Sequence, residues 1–183
     1  LITMVNHILG SSLVVDCPLE AADMNMDGII NIQDLISLVN AILGAGRSAN
    51  LHGHANIEYL ASGDDMIVRV TSTVDLAGIQ FSVLSNMAVD ISLKDNSHIN
   101  QDSYYKDGVT RYLAYSMFNK PFDSKTAEFL VESSSKLDME DIRITISDIN
   151  GDAMSASHSG NNRKYQEGPY SFELSKLYPN PFN

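Results

Sequence analysis

Residues 66–86 read MIVRVTSTVDLAGIQFSVLSN, and they place apolar side chains at alternate positions in both halves of the stretch. The alternating residues are Met66, Val68 and Val70, followed by Ile79, Phe81 and Val83. Successive side chains of a β-strand point to opposite faces, so alternation marks one buried face and one solvent face. The stretch therefore predicts two strands of an antiparallel sheet.

The same period of two continues through the second half of the chain, with turn signals between the apolar sets. Further sets are Val89, Ile91 and Leu93; Leu113 and Tyr115; Phe129 and Val131; and Ile142, Ile144 and Ile146. About eight short strands without a helical period predict an antiparallel β-sandwich over residues 55–160. The fold class is therefore mainly β, with a small α module in front.

The α module contains a loop, residues 23–34, with oxygen-bearing side chains at loop positions 1, 3, 5, 9 and 12 and Gly28 at position 6. A calcium ion takes about six to eight oxygen ligands, and glycine permits the sharp turn around it. The predicted metal ligands are the side chains of Asp23, Asn25, Asp27, Asn31 and Asp34 with the backbone carbonyl of Ile29. The alternative interpretation is a surface turn rich in Asx residues.

An amphipathic helix follows this loop. Its apolar residues recur at helical spacing, and Gly44 is a C-terminal stop signal. These apolar residues are Leu35, Leu38, Val39 and Ile42. Pro18 interrupts residues 14–22, which predicts a poor entering helix before the loop. A calcium loop that ends in aspartate and has only its exiting helix resembles the dockerin module of cellulosome-type assemblies.

An internal repeat extends the dockerin resemblance. Residues 1–10 match residues 35–44 without a gap and are identical at seven of ten positions. The resemblance implies two loop–helix segments joined by a linker at residues 16–19, and a first calcium loop that would end before Leu1. We therefore expect residues 1–46 to be an N-terminally truncated dockerin with one calcium site. A generic helical hairpin is the alternative explanation of the repeat.

The dockerin resemblance also implies a partner surface. Positions just before the closing acid help dockerins to choose their cohesin, and here these positions are Ile32 and Gln33. The hydroxyl pair of some clostridial dockerins is absent at these positions.

The sandwich itself resembles a cohesin, the partner module of dockerins. The resemblance rests on residues 66–86, on GVTRYLAYSMF at residues 108–118 and on IRITISDINGDAMSAS at residues 142–157. It implies a nine-stranded jelly roll with a closing hairpin. A fibronectin-like or immunoglobulin-like spacer and a carbohydrate-binding module are alternatives, because fold alone does not decide function.

Two further segments complete the predicted organisation. Residues 47–54 form a linker of small and polar residues, in which His52 and His54 are interpreted as exposed histidines. Residues 161–183 form a second linker that ends in LYPNPFN, which looks like the start of a type IX secretion C-terminal sorting domain. This resemblance implies a fragment of a protein that is secreted or held on the outer surface of a bacterium.

The amino-acid composition excludes some classes of function. The 183 residues carry a formal net charge of −11, which argues against binding to nucleic acid or anionic membranes. No apolar run is long enough to cross a bilayer. The single Cys17 cannot form an internal disulfide, and we interpret it as a free thiol.

Two other groups of residues resemble binding sites, but we assign them to a turn and to packing. Residues 148–152 repeat part of a calcium-loop spacing but contain Asn150-Gly151, which favours a hairpin turn. Four tyrosines could form a platform for sugar, although packing explains them as well. They are Tyr104, Tyr105, Tyr112 and Tyr115. No motif of a nucleophile, paired carboxylates or a phosphate-binding loop occurs, so we expect no catalytic activity.

Together these features predict a non-catalytic, calcium-binding interaction segment of a secreted multimodular protein. The expected partners are cohesin or dockerin modules of other secreted proteins, in assemblies linked to extracellular polysaccharide degradation. The alternative is a carbohydrate-binding or spacer sandwich attached to an upstream hydrolase.

Overall fold

The computed structural model describes residues 1–12, 17–45, 53–62, 65–94 and 97–160, and the structural statements below concern these residues. Three helices come first in the chain, and nine strands follow with a short 3-10 turn between β7 and β8. The helices are α1 (Ile2–Leu9), α2 (Cys17–Ala22) and α3 (Ile32–Leu43). The strands are β1 (His54–Ser62), β2 (Asp65–Ser72), β3 (Leu76–Leu84), β4 (Asp90–Leu93), β5 (Asn100–Lys106), β6 (Val109–Tyr115), β7 (Thr126–Glu132), β8 (Ile142–Asp148) and β9 (Ser155–Gly160).

Both repeated helices end at a glycine, as their sequences indicate. Gly10 closes α1 with φ of 78°, and Gly44 closes α3 with φ of 65°. Glycine adopts these left-handed conformations without a Cβ clash, which lets the backbone turn away from the helix. At the start of α3, the Asn31 side chain accepts a hydrogen bond from the N–H of Gln33 at 2.8 Å. This N-cap fixes where the helix begins.

The segment before the predicted calcium loop contains a short helix, so the expectation that Pro18 interrupts it is wrong. Helix α2 spans Cys17–Ala22, which places Pro18 at its second residue. Proline is tolerated in the first turn of a helix because the N–H that it lacks would have no helical acceptor there. Residues 13–16 and the side chain of Cys17 lie outside the described part of the chain.

The strands form two sheets that pack face to face, which confirms the predicted two-layer sandwich. The four-stranded sheet has the order β5-β6-β3-β8, and the five-stranded sheet has the order β4-β7-β2-β1-β9. Neighbouring strands are antiparallel except for β1 and β9, which are parallel, with His54 opposite Ser155. The prediction of a purely antiparallel sandwich is therefore wrong at its last strand.

The core lies between the two sheets and is centred on three aromatic rings. Phe81 of β3 lies 4.8 Å from Phe129 of β7 and 5.8 Å from Tyr112 of β6, measured between ring centroids. Phe81 and Phe129 are fully buried, and Tyr112 is nearly so. Because β7 belongs to the opposite sheet, this cluster holds the two layers together.

Two details differ from the pattern expected for the sandwich. On β6, Tyr112 and Ala114 face the core between the sheets, whereas Leu113 and Tyr115 are buried on the opposite face of the sheet. The predicted closing hairpin is also absent, because β8 and β9 lie in different sheets and only a single bridge, Ser147 to Ala153, joins this region. The chain therefore crosses between the layers after β8.

Among the described helices, none has the length and apolar character needed to cross a bilayer.

The contact between β1 and β9 gives the sandwich a testable pH dependence. The imidazole of His158 stacks on the ring of Tyr59 with centroids 5.9 Å apart, and burial lowers the pKa of this imidazole. Between the lowered folded pKa and the unfolded value of about 6.5, the unfolded chain holds more protons at His158. The free energy of unfolding should therefore fall as the pH drops through this window.

Urea unfolding at about pH 7.5 and about pH 5.5 checks this expectation when the unmodified chain is compared with His158→Phe, which keeps an aromatic ring. The variant should lose less stability on acidification. His7, whose pKa burial also lowers, is retained in both proteins and contributes equally. Equal losses of stability in the two proteins would contradict the role assigned to His158.

Candidate functional site

The predicted calcium loop connects α2 to α3, and Asp34 holds its two ends together. Oδ1 of Asp34 accepts the N–H of Met24 at 2.8 Å, near the start of the loop. Oδ2 accepts the N–H of Asn31 at 2.9 Å, near its end. At loop position 6, Gly28 has φ of 85°, which gives the sharp turn that its position predicts. The backbone is therefore closed into a compact loop.

In the first half of the loop, side-chain oxygens accept hydrogen bonds from the loop's own backbone. Oδ2 of Asp23 accepts the N–H of Gly28 at 2.9 Å, and Oδ1 of Asp27 accepts the N–H of Ile29 at 2.8 Å. Oδ1 of Asn25 accepts the N–H of Asp27 at 3.0 Å. Within the described ranges, no three histidine, cysteine, aspartate or glutamate side chains are grouped so as to hold a metal.

Asp34 is the loop carboxylate with the most unusual environment. Its side chain is fully buried, and this burial raises the pKa of the carboxyl group, against the lowering effect of hydrogen bonds from Asn31, Met24 and Asn25. The charge of Asp27 raises this pKa further. A cation in the loop would favour the ionised form of Asp34. The oxygen chemistry of the loop and its closed ends therefore fit calcium, although the three aspartates do not form a ready-made cluster.

Helices α1 and α3 cover the outer face of the four-stranded sheet and form a second buried cluster there. This cluster is separate from the core between the sheets. Its helix residues are Met4, Val5, Ile8 and Leu9 of α1 with Ile32, Leu35 and Ile36 of α3. Its sheet residues, which we call the docking face together with Gly78 and Gln80, are Ala77, Leu113 and Tyr115. The helical segment and the sandwich thus share one apolar contact.

Gly78 of β3 allows α3 to approach the sheet closely. A Cβ atom at this position would lie 2.5 Å from Cγ1 of Ile32 and 3.0 Å from Cγ1 of Ile36. Both isoleucines are almost completely buried. Because any larger side chain at Gly78 would occupy the space of these two residues, the missing side chain is what permits the contact.

Two hydrogen bonds hold the ends of α3 to the sandwich. At its start, the backbone N–H of Ile32 donates to Oε1 of Gln80 at 3.2 Å. Toward its end, Nδ2 of Asn40 donates to the carbonyl oxygen of Ile149 at 2.8 Å. The first N–H groups of a helix have no acceptor within the helix. Gln80 supplies an acceptor for one of these groups.

The residues predicted to contact a partner module, Ile32 and Gln33, lie against the chain's own sandwich. Ile32 is fully buried over Gly78, and the backbone oxygen of Gln33 lies close to Gly151. Oε1 of Gln33 also accepts a hydrogen bond from Nδ2 of Asn25 at 3.3 Å. Their role toward a separate partner stays a prediction.

The two copies of the repeat have opposite environments at two pairs of equivalent positions. Ile2 is 77% exposed, whereas its counterpart Ile36 is 2% exposed. Ile8 is 5% exposed, whereas its counterpart Ile42 is 66% exposed. Burial therefore extends to the C-terminal end of α1 and to the N-terminal end of α3, which an alignment of the two similar patterns does not reveal.

The turn at residues 148–152 is stabilised by its own hydrogen bonds and contacts α3. Oδ1 of Asp148 accepts the N–H of Asn150 at 2.8 Å and the N–H of Asp152 at 2.9 Å. Gly151 has φ of 87°. The interpretation of this segment as a turn is confirmed, although it connects two sheets instead of two strands of one hairpin.

Gly151 should tolerate alanine poorly, for two reasons. Its φ is positive, and a Cβ atom would overlap Oγ of Ser37 and lie 3.0 Å from the backbone oxygen of Gln33. We expect Gly151→Ala to lower the free energy of unfolding by about 2–4 kcal/mol, from backbone strain and overpacking together. Denaturant unfolding followed by helical circular dichroism measures this loss.

Gly108→Ala is the matched control, because Gly108 has φ of 78° and the nearest atom to its added Cβ is 3.7 Å away. It carries the backbone strain without the collision with α3. Equal losses in the two variants would contradict the close packing of α3 on this turn.

The four tyrosines do not form one platform. Tyr112 lies in the sandwich core and Tyr115 lies under the helices, where its hydroxyl donates to Oδ2 of Asp102 at 2.9 Å. Tyr104 and Tyr105 remain 41% and 36% exposed. The packing interpretation therefore holds for two of the four, and an exposed sugar surface would have to use the other two.

His54 lies outside the predicted linker setting, because it is the first residue of β1. Its Nδ1 lies 2.9 Å from Oγ of Ser155, and its Nε2 lies 3.1 Å from Oγ of Ser157. The ring is exposed but hydrogen-bonded to β9. His52 lies outside the described residues, so the pair cannot be compared.

The sequence reasoning missed the docking face. Gly78 carried a usable signal, because an isolated glycine inside a strand often marks a close approach of another segment. The alternation predicts burial of Leu113 and Tyr115, but it places them in the core between the sheets, which is the wrong face. Gln80 had no sequence signal, since its contact depends on where α3 lies.

No protein-family model and no curated protein matches the chain. Among solved structures, it is similar to a non-cellulosomal cohesin from the hyperthermophilic archaeon Archaeoglobus fulgidus, with 9% identity and a TM-score of 0.37 over 59% of this chain and 86% of that one. It is also similar to the chitin-binding domain of a hyperthermophilic chitinase from Pyrococcus furiosus, with 15% identity and a TM-score of 0.31 over 60% of this chain and 98% of that one. These likenesses are remote, and the sandwich fold rests on the strand order and core described above.

Proposed function

We propose that this chain is a non-catalytic, calcium-binding interaction segment of a secreted multimodular protein. Its dockerin-like helices and its cohesin-like sandwich carry complementary surfaces for contacts between modules. The observation that supports this most directly is the burial of Ile32 and Ile36 on the outer face of β3, where Gly78 leaves room for them. A helix surface and a sheet surface that fit each other in one chain can also meet between chains.

The calcium part of the proposal rests on the loop. Six residues would hold the ion through hard oxygen atoms, which suit calcium. They are Asp23, Asn25, Asp27, Ile29, Asn31 and Asp34. When bound, the ion would supply positive charge that offsets the mutual repulsion of three aspartates. Because the carboxylate of Asp34 is buried at the start of α3, binding and helix formation would be coupled.

The proposed setting is extracellular. The partners would be cohesin or dockerin modules of other secreted proteins, in assemblies linked to polysaccharide degradation. The net charge of −11 supports a protein that does not bind nucleic acid or insert into anionic membranes. The segment that resembles a secretion signal, residues 177–183, lies outside the described residues, so location stays a prediction.

A complementation experiment tests the proposed contact between modules. Ile36→Asp should remove the helix surface and leave the docking face intact, whereas Leu113→Asp should do the reverse. In calcium, an equal mixture of the two full-length variants should form a species of twice the chain mass in sedimentation velocity. Each variant alone should sediment as a single chain, because each retains only one of the two surfaces.

The control replaces Ile36→Asp by Ile42→Asp, which changes an exposed residue of the same helix. This variant keeps its own docking face covered, so its mixture with Leu113→Asp should contain little complex. The absence of a complex in the first mixture, with both variants folded by circular dichroism, would argue against the proposal.

Carbohydrate binding is the alternative function, and one observation favours testing it. Tyr104 and Tyr105 are exposed on β5, an edge strand of the four-stranded sheet. Tyrosine rings can stack on sugars, although these two neighbours point to opposite faces of a strand. Retention on an insoluble polysaccharide that Tyr104→Ala abolishes would support this alternative.

A further inference from the structure

We infer that Gln80 and Gly78 of the sandwich are positioning residues for the proposed calcium loop, and that they raise its calcium affinity from outside the loop by seating the first turn of α3. This inference rests on the proposed function, because it assumes that the loop binds calcium. It adds a role for two residues of β3 that belong to neither the loop nor its helix.

The connection between the calcium loop and the sandwich is already present in the sequence. Proposed metal ligands and docking residues occupy one unit of four consecutive residues. Asn31 and Asp34 are proposed ligands, and Ile32 and Gln33 lie between them. The unit is held as a capping box: Oδ1 of Asn31 accepts the N–H of Gln33 at 2.8 Å, and Oδ2 of Asp34 accepts the N–H of Asn31 at 2.9 Å. A displacement of Ile32 must therefore displace both flanking ligands.

The sandwich fixes the position of Ile32 in two ways. Oε1 of Gln80 accepts its backbone N–H at 3.2 Å, and Gly78 leaves the space in which its side chain lies. Both sheet residues stand on the outer face of β3, two positions apart in a strand that is paired on both sides by β6 and β8. The support for the loop is consequently a rigid part of the sandwich.

The same geometry predicts that docking and calcium binding are reciprocal. If the docked position of α3 favours the ligand arrangement, an ion in the loop must favour docking by the same factor. Couplings between sites in proteins are typically about 5- to 150-fold in affinity. We expect the contribution of either sheet residue to lie near the lower end, at about tenfold, because each supports only one turn of the helix.

Isothermal titration of the full chain with calcium chloride tests the inference. Gln80→Met removes the acceptor oxygen at similar size, and Gly78→Ala places a Cβ atom 2.5 Å from Ile32. Both variants should bind calcium about tenfold more weakly than the unmodified chain. Ser82→Ala, one pleat further along the same face of β3, is the matched control and should bind with unchanged affinity.

A rescue variant and a second measurement distinguish the loss of loop positioning from a general structural defect. In Gly78→Ala combined with Ile32→Ala, the colliding atoms of Ile32 are gone, so part of the calcium affinity should return. The proton chemical shifts of the core rings of Phe81, Tyr112 and Phe129 should stay unchanged in every variant, which shows that the losses do not arise from unfolding of the sandwich.

The outcomes distinguish a failure of the proposed calcium site from a failure of the positioning role. If the unmodified chain binds one calcium ion and the Gln80 and Gly78 variants bind equally well, the positioning role is overturned while the proposed site stands. If the unmodified chain gives no heat of binding with calcium chloride, the proposed site fails and the positioning role fails with it.

Discussion

Asp34→Ala is expected to abolish calcium binding by the loop and to remove most of the helical signal of α3. The Asp34 carboxylate accepts hydrogen bonds from the backbone N–H groups of Met24, Asn25 and Asn31. The N–H of Asn31 is buried, and a buried donor left without an acceptor costs about 1–3 kcal/mol. The substitution also removes the proposed ligand that closes the loop, so calcium affinity should fall by at least about 100-fold.

Two further variants divide this effect into its parts. Asp34→Asn keeps an acceptor oxygen for the backbone but loses the charge, so it should retain much of the helix and still bind calcium poorly. Asp90→Ala changes an exposed aspartate on β4 and should alter neither property. The measurements are calorimetric calcium titration and helical circular dichroism. Calcium binding by Asp34→Ala at the affinity of the unmodified chain would contradict the assigned ligand set.

Phe129→Ala is expected to destabilise the sandwich by about 3–5 kcal/mol, the usual cost of deleting a buried aromatic side chain. Phe129 is fully buried, and its ring lies 4.8 Å from that of Phe81 and 6.0 Å from that of Tyr112. Because it is the ring that the five-stranded sheet contributes to this cluster, its loss weakens the contact between the layers. Domains of ordinary stability have about 5–15 kcal/mol in total, so the variant should be only marginally folded.

Phe118→Ala provides the comparison, because Phe118 is 74% exposed and lies outside the core cluster. Its free energy of unfolding should change by no more than about 0.5 kcal/mol. Guanidinium unfolding followed by fluorescence of the tyrosines measures both variants. A loss below about 1 kcal/mol for Phe129→Ala would show that the two sheets do not pack through this residue.

The sandwich was predictable where strands have one buried face. On β7, Phe129 and Val131 alternate with less buried residues, and both are buried in the core. The assignment failed on β6 because both faces of that strand are covered. Residues 112–115 are all buried, so the pattern showed burial without showing which side faced the core.

Two strands had no readable signal for physical reasons. β5 (Asn100–Lys106) is an exposed edge strand with mostly polar side chains, and its backbone pairing with β6 holds it in place. β9 (Ser155–Gly160) also lacks apolar alternation, and its parallel pairing with β1 depends on a crossover between layers. Pairing of this kind is set by tertiary structure, which local sequence patterns do not encode.

At the candidate site, the sequence predicted the composition of the loop but not its surroundings. The spacing of Asp23, Gly28 and Asp34 was sufficient to predict a closed loop, because those residue types are required at those positions. The contact of Ile32 with Gly78 joins residues far apart in the chain. Only the fold brings them together, so the sequence alone predicts a separate partner for Ile32.

The most direct test of the account is nuclear Overhauser spectroscopy between the Ile32 side chain and the α-protons of Gly78. The spectra would be recorded in calcium on a sample that mixes isotope-labelled and unlabelled full-length chains. The account predicts cross-peaks between the Ile32 methyl groups and Gly78 that arise within one chain. Their absence, or cross-peaks that arise only between chains, would contradict the docking of α3 on the sandwich of its own chain.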